Sequence, residues 1–233
     1  MKKYILLYDS GLGGQYVLDC FRSAAPNEKY ILYADTKNAP FGSKNKTKLK
    51  RILFDALICA TKKYPVKRIV IACNTMSSMF KKDIKKVYPS TIFVEPMLNR
   101  RILSRPTLVL ATPNTIKYSP VLAKYRSHPN YRELALPDLA YQIDTCGGNF
   151  DMLLPYIKKH LERFQDVQNI VLGCTHYNWV KPQIEQCFSR PITFYEKSKT
   201  LTQNKKSPHE RGKFCGGLNR TRTYDLFDVN EAL

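Results

Sequence analysis

The sequence predicts an α/β protein made of two similar domains, each with a mainly parallel sheet and helices on both faces. Three observations predict this class. Strand-length apolar segments alternate with helix-like segments, the alternation restarts near the middle of the chain, and two strand ends carry the same cysteine pattern. The chain has 233 residues, of which 43% are hydrophobic, so it can form two small cores.

The first half, residues 1–96, is predicted to contain three strands separated by helices. The first strand, Tyr4–Tyr8, is apolar and ends at turn-forming residues. A helix is predicted over Thr47–Tyr64, because Leu49, Leu53 and Ala60 recur at helical spacing. The other strands are Tyr30–Ala34 and Arg68–Ala72, the other helices run from a glycine turn to about Arg22 and over Ser77–Val87, and Phe93–Pro96 closes this half.

The second half, residues 97–197, repeats this scheme. Its strands are predicted at Thr107–Ala111, Glu133–Leu136, Asn169–Leu172 and Ile192–Tyr195, and its helices at Thr115–Tyr125, Met152–Phe164 and around Gln183–Phe188. Such alternation favours parallel sheets with helices on both faces. In these sheets, functional groups lie in the loops beyond the carboxyl ends of the strands.

Two of the predicted strands end in the same way. RIVIACNT (68–75) and NIVLGCTH (169–176) each run from a buried strand to a small residue, then a cysteine, then hydroxyl or amide groups. A single cysteine is most simply a small buried hydrophobe, and we interpret Cys20, Cys59 and Cys187 in this way. Core packing does not explain the repetition, so Cys73 and Cys174 are predicted to be functional.

The C-terminal segment, residues 198–233, departs from the pattern. From about Lys205 it reads KKSPHERGKFCGGLNRTRTYDLFDVNEAL, with scattered charge, several glycines and poor periodicity. Two interpretations stay open. The segment is either a replacement of the normal C-terminus, through a frameshift or readthrough, or a divergent closing segment of the first domain.

The formal net charge of +19 is high for an enzyme that acts on a small molecule. Lysine-rich, solvated helix faces are the simplest explanation. Attraction to nucleic acid or another polyanion is the alternative. We expect it only as a secondary activity, because the sequence has no RNA-binding signature, helix-turn-helix or finger pattern.

The apolar segments are far shorter than the roughly 18 residues needed to span a bilayer. The basic N-terminus resembles the start of a signal peptide, but the apolar stretch breaks at Asp9-Ser10-Gly11. A cytoplasmic protein without a membrane segment is therefore expected. The seven cysteines form no C-x-x-C pair and no zinc-type cluster with histidine, which favours free thiols and no structural metal.

Two thiols on opposite sides of one carbon could invert an amino-acid α-carbon without a cofactor. One thiolate would remove the proton, the opposite thiol would return one, and the two would then exchange roles. A free thiol has a pKa of about 8.5, which donors, cations and helix N-termini lower. Cys73 and Cys174 both lie where a strand is followed by a helix or loop, which favours an anion. The sequence thus predicts a cofactor-independent racemase.

Three further segments carry candidate polar groups. Asp9, in DSGLGG (9–14), is either a helix cap or a functional carboxylate. The loop Pro40-Phe41-Gly42-Ser43 is either a plain turn or a source of donors for a carboxylate. His176, two residues after Cys174, is either packed or able to orient the thiolate, and we favour the second.

Four motifs in this order and spacing resemble the glutamate racemase family of the aspartate/glutamate racemase superfamily: DSGLGG (9–14), ADTKNAPFGSK (34–44), ACNT (72–75) and LGCTHY (172–177). The resemblance covers about residues 4–197. It implies two α/β domains with the active site in the cleft between them, no metal or cofactor, and a role in supplying D-glutamate for peptidoglycan.

The resemblance also implies residue roles. Cys73 would deprotonate the D-enantiomer and Cys174 the L-enantiomer, with assistance from Asp9 and His176. Asp144 is the best match for the acidic partner of the histidine, which is normally a glutamate. The substrate would be bound by Ser10, Pro40, Phe41, Gly42, Ser43, Asn74, Thr75, Thr112, Thr115 and Thr175.

This sequence departs from the family pattern at several points. Phe41 replaces the usual tyrosine and so lacks a hydroxyl. Met76 stands where a small residue is usual, which would narrow or reshape the cleft. The closing segment that normally returns to the first domain is hard to find after Lys197.

The expected activity is racemisation of L- and D-glutamate. A racemase for aspartate, or for both acids, is the first alternative, because it would use the same thiol pair. A catalytically weak relative that binds nucleic acid or a protein is the second, and the net charge and the C-terminal segment favour it. A homodimer is left open.

Overall fold

The computed structural model describes residues 3–198 and the backbone of residues 226–228. Two parallel sheets, each with helices packed on it, form the protein. This architecture confirms the predicted two-domain α/β class.

The first sheet has the strand order β4-β3-β1-β2-β9, and neighbouring strands are parallel. Helix α1 packs on one face of it and helices α2 and α3 pack on the other. The strands are β1 (Tyr4–Asp9), β2 (Lys29–Ala34), β3 (Val66–Ile71), β4 (Ile92–Phe93) and β9 (Leu226–Asp228), and the helices are α1 (Leu12–Ala24), α2 (Lys46–Lys63) and α3 (Asn74–Val87).

The second sheet has the order β6-β5-β7-β8 and is also parallel. A core that includes Leu108, Ile143, Ile157 and Ile170 joins it to its helices. Its strands are β5 (Thr107–Ala111), β6 (Tyr131–Ala135), β7 (Asn169–Gly173) and β8 (Thr193–Tyr195), and its helices are α4 (Pro113–Tyr118), α5 (Pro120–Ala123), α6 (Leu139–Thr145), α7 (Leu154–Leu161) and α8 (Lys181–Glu185).

The first four strands of each half are arranged in the same spatial order. In chain order they lie fourth, third, first, second across the sheet in both halves. Strands β3 and β7 therefore occupy equivalent positions, and one of the repeated cysteines, Cys73 or Cys174, follows within two residues of each strand end. The internal repeat predicted from the sequence thus has a counterpart in the topology.

Several predicted helices have different limits in the structure. The single helix expected over Thr115–Tyr125 is two helices, because Pro120 has no backbone N–H and Ser119 caps a new helix instead. The helix expected over Met152–Phe164 is α7 with a short 3₁₀ segment at each end. Helix α3 begins at Asn74, three residues before its predicted start, and α6 was not predicted.

Part of the C-terminal segment returns to the first sheet. The backbone of β9 lies parallel to β2, with Leu32 opposite Leu226 and Ala34 opposite Asp228. Residues 199–225 and 229–233 lie outside the described residues. The interpretation of the segment as a replaced or divergent closing segment stays a prediction.

Surface and core positions of three cysteines test their predicted role as small buried hydrophobes. Cys187 is buried, Cys20 is partly exposed, and Cys59 is exposed on the outer side of α2, so the prediction was wrong for Cys59.

Across residues 3–198, no helix has both the length and the apolar character needed to cross a membrane.

Candidate active site

One cavity, at the seam between the two domains, contains both repeated cysteines. Twelve of the residues predicted for the site line it. The walls are formed by Ser10, Pro40, Phe41, Gly42, Cys73, Asn74, Thr75, Thr112, Asp144, Cys174, Thr175 and His176, together with Ala140, which was not predicted.

The other predicted residues lie outside this lining. Asp9 and Thr115 are fully buried directly behind it, bonded to lining residues. Ser43 is exposed, because the turn closed by the Lys44 N–H on the Phe41 carbonyl directs Gly42 against Thr112 and leaves Ser43 outside. Ser43 therefore does not line the cavity, and its predicted role in holding the substrate stays a prediction.

The Cys73 side of the cavity is formed by the end of β3 and the start of α3. Cys73 is buried and is the residue that precedes the first turn of α3. Burial raises the pKa of its thiol well above the ordinary value, and the nearby Asp9 carboxylate raises the pKa further. The backbone N–H groups of Met76 and Thr75 act in the opposite direction but are outweighed. The predicted contribution of the helix N-terminus is thus present, but burial and Asp9 determine the net direction.

Asp9 connects the first domain to the second. Its carboxylate accepts hydrogen bonds from the Ser10 backbone N–H at 2.6 Å, from the Ser10 hydroxyl at 3.3 Å and from the Thr175 hydroxyl at 3.1 Å. Burial raises the pKa of Asp9, while the charge of His176 lowers it. The N-cap of α1 is Gly11 and has no side-chain cap, so the interpretation of Asp9 as a helix cap was wrong.

The Cys174 side is built around a histidine. His176 Nδ1 lies 3.8 Å from Cys174 Sγ, and His176 Nε2 lies 3.1 Å from both carboxylate oxygens of Asp144. Burial lowers the pKa of His176, but the bonds to Asp144 and Cys174 outweigh this effect and hold the pKa well above its usual range. The predicted pairing of His176 with Asp144 is thus present in the geometry.

Asp144 also reaches the first domain. One of its oxygens accepts a hydrogen bond from the Leu12 backbone N–H at 3.0 Å, in the first turn of α1. Because α1 has no side-chain cap of its own, the second domain supplies a carboxylate at this helix end. Trp179 adds a bond from its indole Nε1–H to the Leu12 carbonyl at 3.1 Å.

Close approach of the two domains requires glycine at position 13. A Cβ atom at Gly13 would lie 2.2 Å from Thr175 Oγ1 and 2.7 Å from His176 Nδ1. These distances are far below van der Waals contact. Glycine at this position therefore allows close approach of the opposite domain.

Three threonine hydroxyls meet at the floor of the seam. Thr75 Oγ1 lies 2.9 Å from Thr112 Oγ1 and 3.2 Å from Thr115 Oγ1, and the latter two lie 3.0 Å apart. Thr75 begins α3, whereas Thr112 and Thr115 lie at the start of α4. Hydroxyls can both donate and accept, so this group can turn toward either a carboxylate or an ammonium.

The loop that contains Pro40 and Gly42 is held from behind by polar contacts. Asp35, buried at the end of β2, accepts bonds from the Asn38 backbone N–H at 3.2 Å and from the Asn38 side-chain amide at 2.9 Å. Lys44 donates to the Asn38 and Ala39 carbonyls. These contacts fix the loop independently of any ligand.

Asn114 fastens this loop to the second domain. Its side-chain amide donates to the Phe41 carbonyl at 3.0 Å and the Lys44 carbonyl at 2.9 Å, and its backbone N–H donates to the Gly42 carbonyl at 2.8 Å. Asn114 was not predicted. Its position beside Thr112 and Thr115 was the available signal.

Two departures from the family pattern lie in the first-domain core. Phe41 is only 2% exposed, and its ring stacks on Tyr8 with centroids 6.2 Å apart. Met76 is fully buried in the same core cluster and is not a lining residue of the cavity. Its side chain faces the first-domain core, so it does not narrow the cleft directly, and the alternative that it reshapes the cleft stays a prediction.

Comparison with known proteins finds close relatives over almost the whole chain. Glutamate racemase of Clostridium perfringens (strain SM101 / Type A) is 31% identical over 234 residues, covering 96% of this chain and 90% of the relative. Glutamate racemase 2 of Bacillus subtilis (strain 168) is 34% identical over 192 residues, covering 78% and 72%. No protein-family model matches the chain.

Solved structures show the same fold. Escherichia coli glutamate racemase in complex with L-glutamate and the activator UDP-MurNAc-ala superposes with a TM-score of 0.78 at 21% identity, covering 88% of this chain and 81% of that one. The enzyme of Francisella tularensis in complex with D-glutamate gives a TM-score of 0.71 at 22% identity, covering 87% and 79%.

Proposed function

The chain belongs to the glutamate racemase family, and we propose that it interconverts L- and D-glutamate without a cofactor, using Cys73 and Cys174 as the two bases. The D-glutamate formed would supply peptidoglycan synthesis. We place the reaction in the cytoplasm, where thiols stay reduced. The six described cysteines, which are all free, are consistent with that location.

The observation that carries this proposal is the shared cavity of the two thiols. Cys73 and Cys174 follow equivalent strands of the two sheets and line the same cavity from opposite domains. Their thiols are also near enough for the charge of Cys174 to raise the pKa of Cys73. A substrate carbon between them would have one sulfur on each face.

The proposed reaction conserves protons within one turnover. For L-glutamate, the Cys174 thiolate removes the α-proton and becomes a thiol, while the electron pair of the broken C–H bond stays on the carbon. The Cys73 thiol then gives its proton to the opposite face and becomes a thiolate. D-glutamate is released, and the enzyme is left ready for the reverse reaction.

The two sides of the cavity differ in the charged group that lies beside each thiol. The raised pKa of Cys73 favours the thiol there. On the other side, the raised pKa of His176 keeps a positive charge 3.8 Å from Cys174 Sγ, which stabilises a thiolate. This combination is the one required to begin with L-glutamate.

The substrate's polar groups have partners around the cavity. We assign its carboxylates and ammonium to Ser10, Asn74, Thr75, Thr112 and Thr175, with the backbone of residues 40–42. Asp9 and the pair of His176 and Asp144 assist the thiols. The substrate ammonium would bring positive charge to the Cys73 side, where the free site has Asp9 instead.

Exchange of the α-proton with solvent deuterium tests each thiol separately. L- and D-glutamate have equal free energies in water, so kcat/KM must be the same in both directions and cannot reveal the asymmetry. We expect Cys73→Ser to lose racemisation by about 10²–10⁴-fold while retaining exchange of L-glutamate, and Cys174→Ser to retain only exchange of D-glutamate.

The control is Cys59→Ser, because Cys59 is exposed on α2 and away from the cavity. It should leave racemisation and both exchange rates within about twofold of wild type. Unchanged exchange of both enantiomers in both active-site variants would contradict the two-thiol mechanism. Parallel assays with aspartate would show whether the activity extends to the shorter acid.

A further inference from the structure

The outer face of the first domain, formed by α2 and α3, carries a concentrated positive charge. The two helices contain ten lysines and arginines, six on α2 and four on α3, but only two aspartates. By contrast, residues 150–164, which include α7, contain three lysines and arginines and two acidic residues. The net charge of the chain is therefore unevenly distributed.

Helical spacing brings these charges to one surface. Lys82 and Lys86, four residues apart, lie on the same side of α3, and Arg51 and Lys62 are about three turns apart on α2. The two helices are neighbours, since Lys50 on α2 forms an ion pair with Asp83 on α3 at 3.2 Å. We call the exposed set Lys48, Arg51, Lys62, Lys82, Lys85 and Lys86 the basic face.

The charges of the basic face are not neutralised by neighbours. Within residues 3–198, none of the six forms an ion pair, whereas Lys50, Lys67 and Lys81 each have a carboxylate partner. Placing six like charges together without counter-charges costs folding free energy through mutual repulsion. A polyanion bound to the face would remove that cost.

The second domain continues the same surface. Lys46, at the start of α2, and Lys117, on α4, each lie 5.2 Å from the centre of the Tyr118 ring. Positive charge thus extends across the outer side of the seam. The active-site cavity is lined by the strand ends and not by these helix faces.

We propose that the basic face binds the phosphate backbone of duplex DNA without sequence preference. Helix α2 has 18 residues and is about 27 Å long, so its charges can follow several successive phosphates of a duplex. Five of the six residues are lysines, which act as point charges toward phosphate. Backbone contacts of this kind position a protein on DNA but read no bases.

An anionic membrane surface fits the same face less well. A helix that lies in a membrane interface inserts large apolar side chains beside its basic ones. On the described parts of α2 and α3, Ile58 and Val87 are the only exposed large hydrophobic residues. The leucines of α2 are buried in the domain core.

Fluorescence anisotropy tests the proposal. A fluorescein-labelled DNA duplex of random sequence and about 20 base pairs is titrated with the full chain, and its affinity is measured at several NaCl concentrations. Six phosphate contacts predict a slope of about −5 for log K against log salt, with a Kd of about 10⁻⁴–10⁻⁶ M near physiological salt. The double variant Lys82→Gln/Lys86→Gln should reduce the magnitude of this slope by about 2 and weaken DNA binding about tenfold at low salt.

Lys158→Gln/Lys159→Gln is the matched control, because these lysines are also exposed on a helix and their loss changes the net charge equally. It should alter DNA affinity by less than about threefold. Equal weakening by both pairs, or no wild-type binding at low salt, would overturn the proposal. So would tighter binding to phosphatidylglycerol vesicles than to DNA. Racemase activity, measured in parallel, reports folding and is independent of this proposal.

Discussion

The two sides of the cavity have the same arrangement of strands but different charged groups beside the sulfur. Cys73 and Cys174 both follow the third strand of their sheet. The charge of a buried carboxylate, Asp9, acts on Cys73, whereas Cys174 has the imidazole of His176 beside it. The repeated fold therefore places the sulfurs, and the residues around each one determine its charge.

A second difference follows from the residues after each cysteine. Asn74–Val87 is a regular α-helix whose N-terminal N–H groups point toward Cys73. After Cys174 the chain forms a short 3₁₀ helix, Thr175–Val180, which turns His176 back toward the sulfur. Cys73 thus has backbone N–H donors beside it, whereas Cys174 has a side-chain cation.

The largest expected effect comes from removing that cation. In a Cys73→Ser background, His176→Gln should lower exchange of L-glutamate by about 10²–10⁴-fold, because the thiolate at Cys174 loses its counter-charge. In a Cys174→Ser background, the same substitution should change exchange of D-glutamate at Cys73 by less than about tenfold. Deuterium incorporation measured by NMR distinguishes the two.

His160→Gln provides the control for loss of an imidazole. His160 bonds to the Tyr156 carbonyl on α7 and does not line the cavity. Neither exchange reaction should change. An equal loss at both thiols on substitution of His176 would show that the two sides are not chemically distinct.

Much of this arrangement could be predicted from the sequence because it depends on local pattern. The strand ends before Cys73 and Cys174 follow from short apolar runs that stop at small residues. Strand β5 was predicted with its observed limits, Thr107–Ala111, because it is apolar and flanked by proline and threonine. Local hydrophobic patterns of this kind do not depend on how the domains dock.

The features that were missed depend on contacts between the domains. Helix α6 has only seven residues and follows Pro137-Asp138, so its periodicity is too short to recognise, although it holds Asp144 beside His176. The bonds from Asn114 to the Phe41 and Lys44 carbonyls join segments about 70 residues apart. No local pattern specifies such a partner.

The pH dependence of exchange should also separate the two sides. Because the pKa of Cys73 is raised, its thiolate becomes populated only as pH rises toward that pKa, so exchange of D-glutamate in Cys174→Ser should increase about tenfold per unit over roughly pH 7 to 9. Because the pKa of His176 is raised, its charge persists above neutral pH and is lost as pH rises through that pKa. Exchange of L-glutamate in Cys73→Ser should therefore fall at alkaline pH.

The opposite slopes of the exchange rate against pH in the two single-thiol variants are the decisive feature of the measurement. Exchange measured at fixed temperature and at substrate concentrations well below KM reports the pKa values of the free enzyme, and following it across the pH range for each single-thiol variant would show these slopes. Parallel increases with pH in both variants would mean that both thiols titrate as ordinary thiols. The charge difference between the sides would then have no functional consequence.

The smallest expected effect concerns the contact of Asn114 with the loop of the first domain, which should affect both sides of the cavity equally. Asn114→Ala leaves the Phe41 and Lys44 carbonyls without their donor and should reduce the free energy of unfolding by about 1–3 kcal/mol. Because Asn114 fastens the loop across the seam and does not touch either sulfur, KM should rise several-fold and equally for both enantiomers, with little change in kcat.

The fluorescence of Trp179 reports on the contact between the two domains. Trp179 is the single tryptophan of the chain, stacks on Phe150 with ring centroids 6.1 Å apart, and bonds to the Leu12 carbonyl of the opposite domain. Its fluorescence should change on glutamate binding at higher concentrations in Asn114→Ala than in Asn130→Ala, whose amide bonds only within the second domain. Equal free energies in water require equal kcat/KM in the two directions but leave KM free to differ. A KM that rises for one enantiomer alone, with the matching rise in kcat, would contradict the expectation and place Asn114 on one side of the cavity.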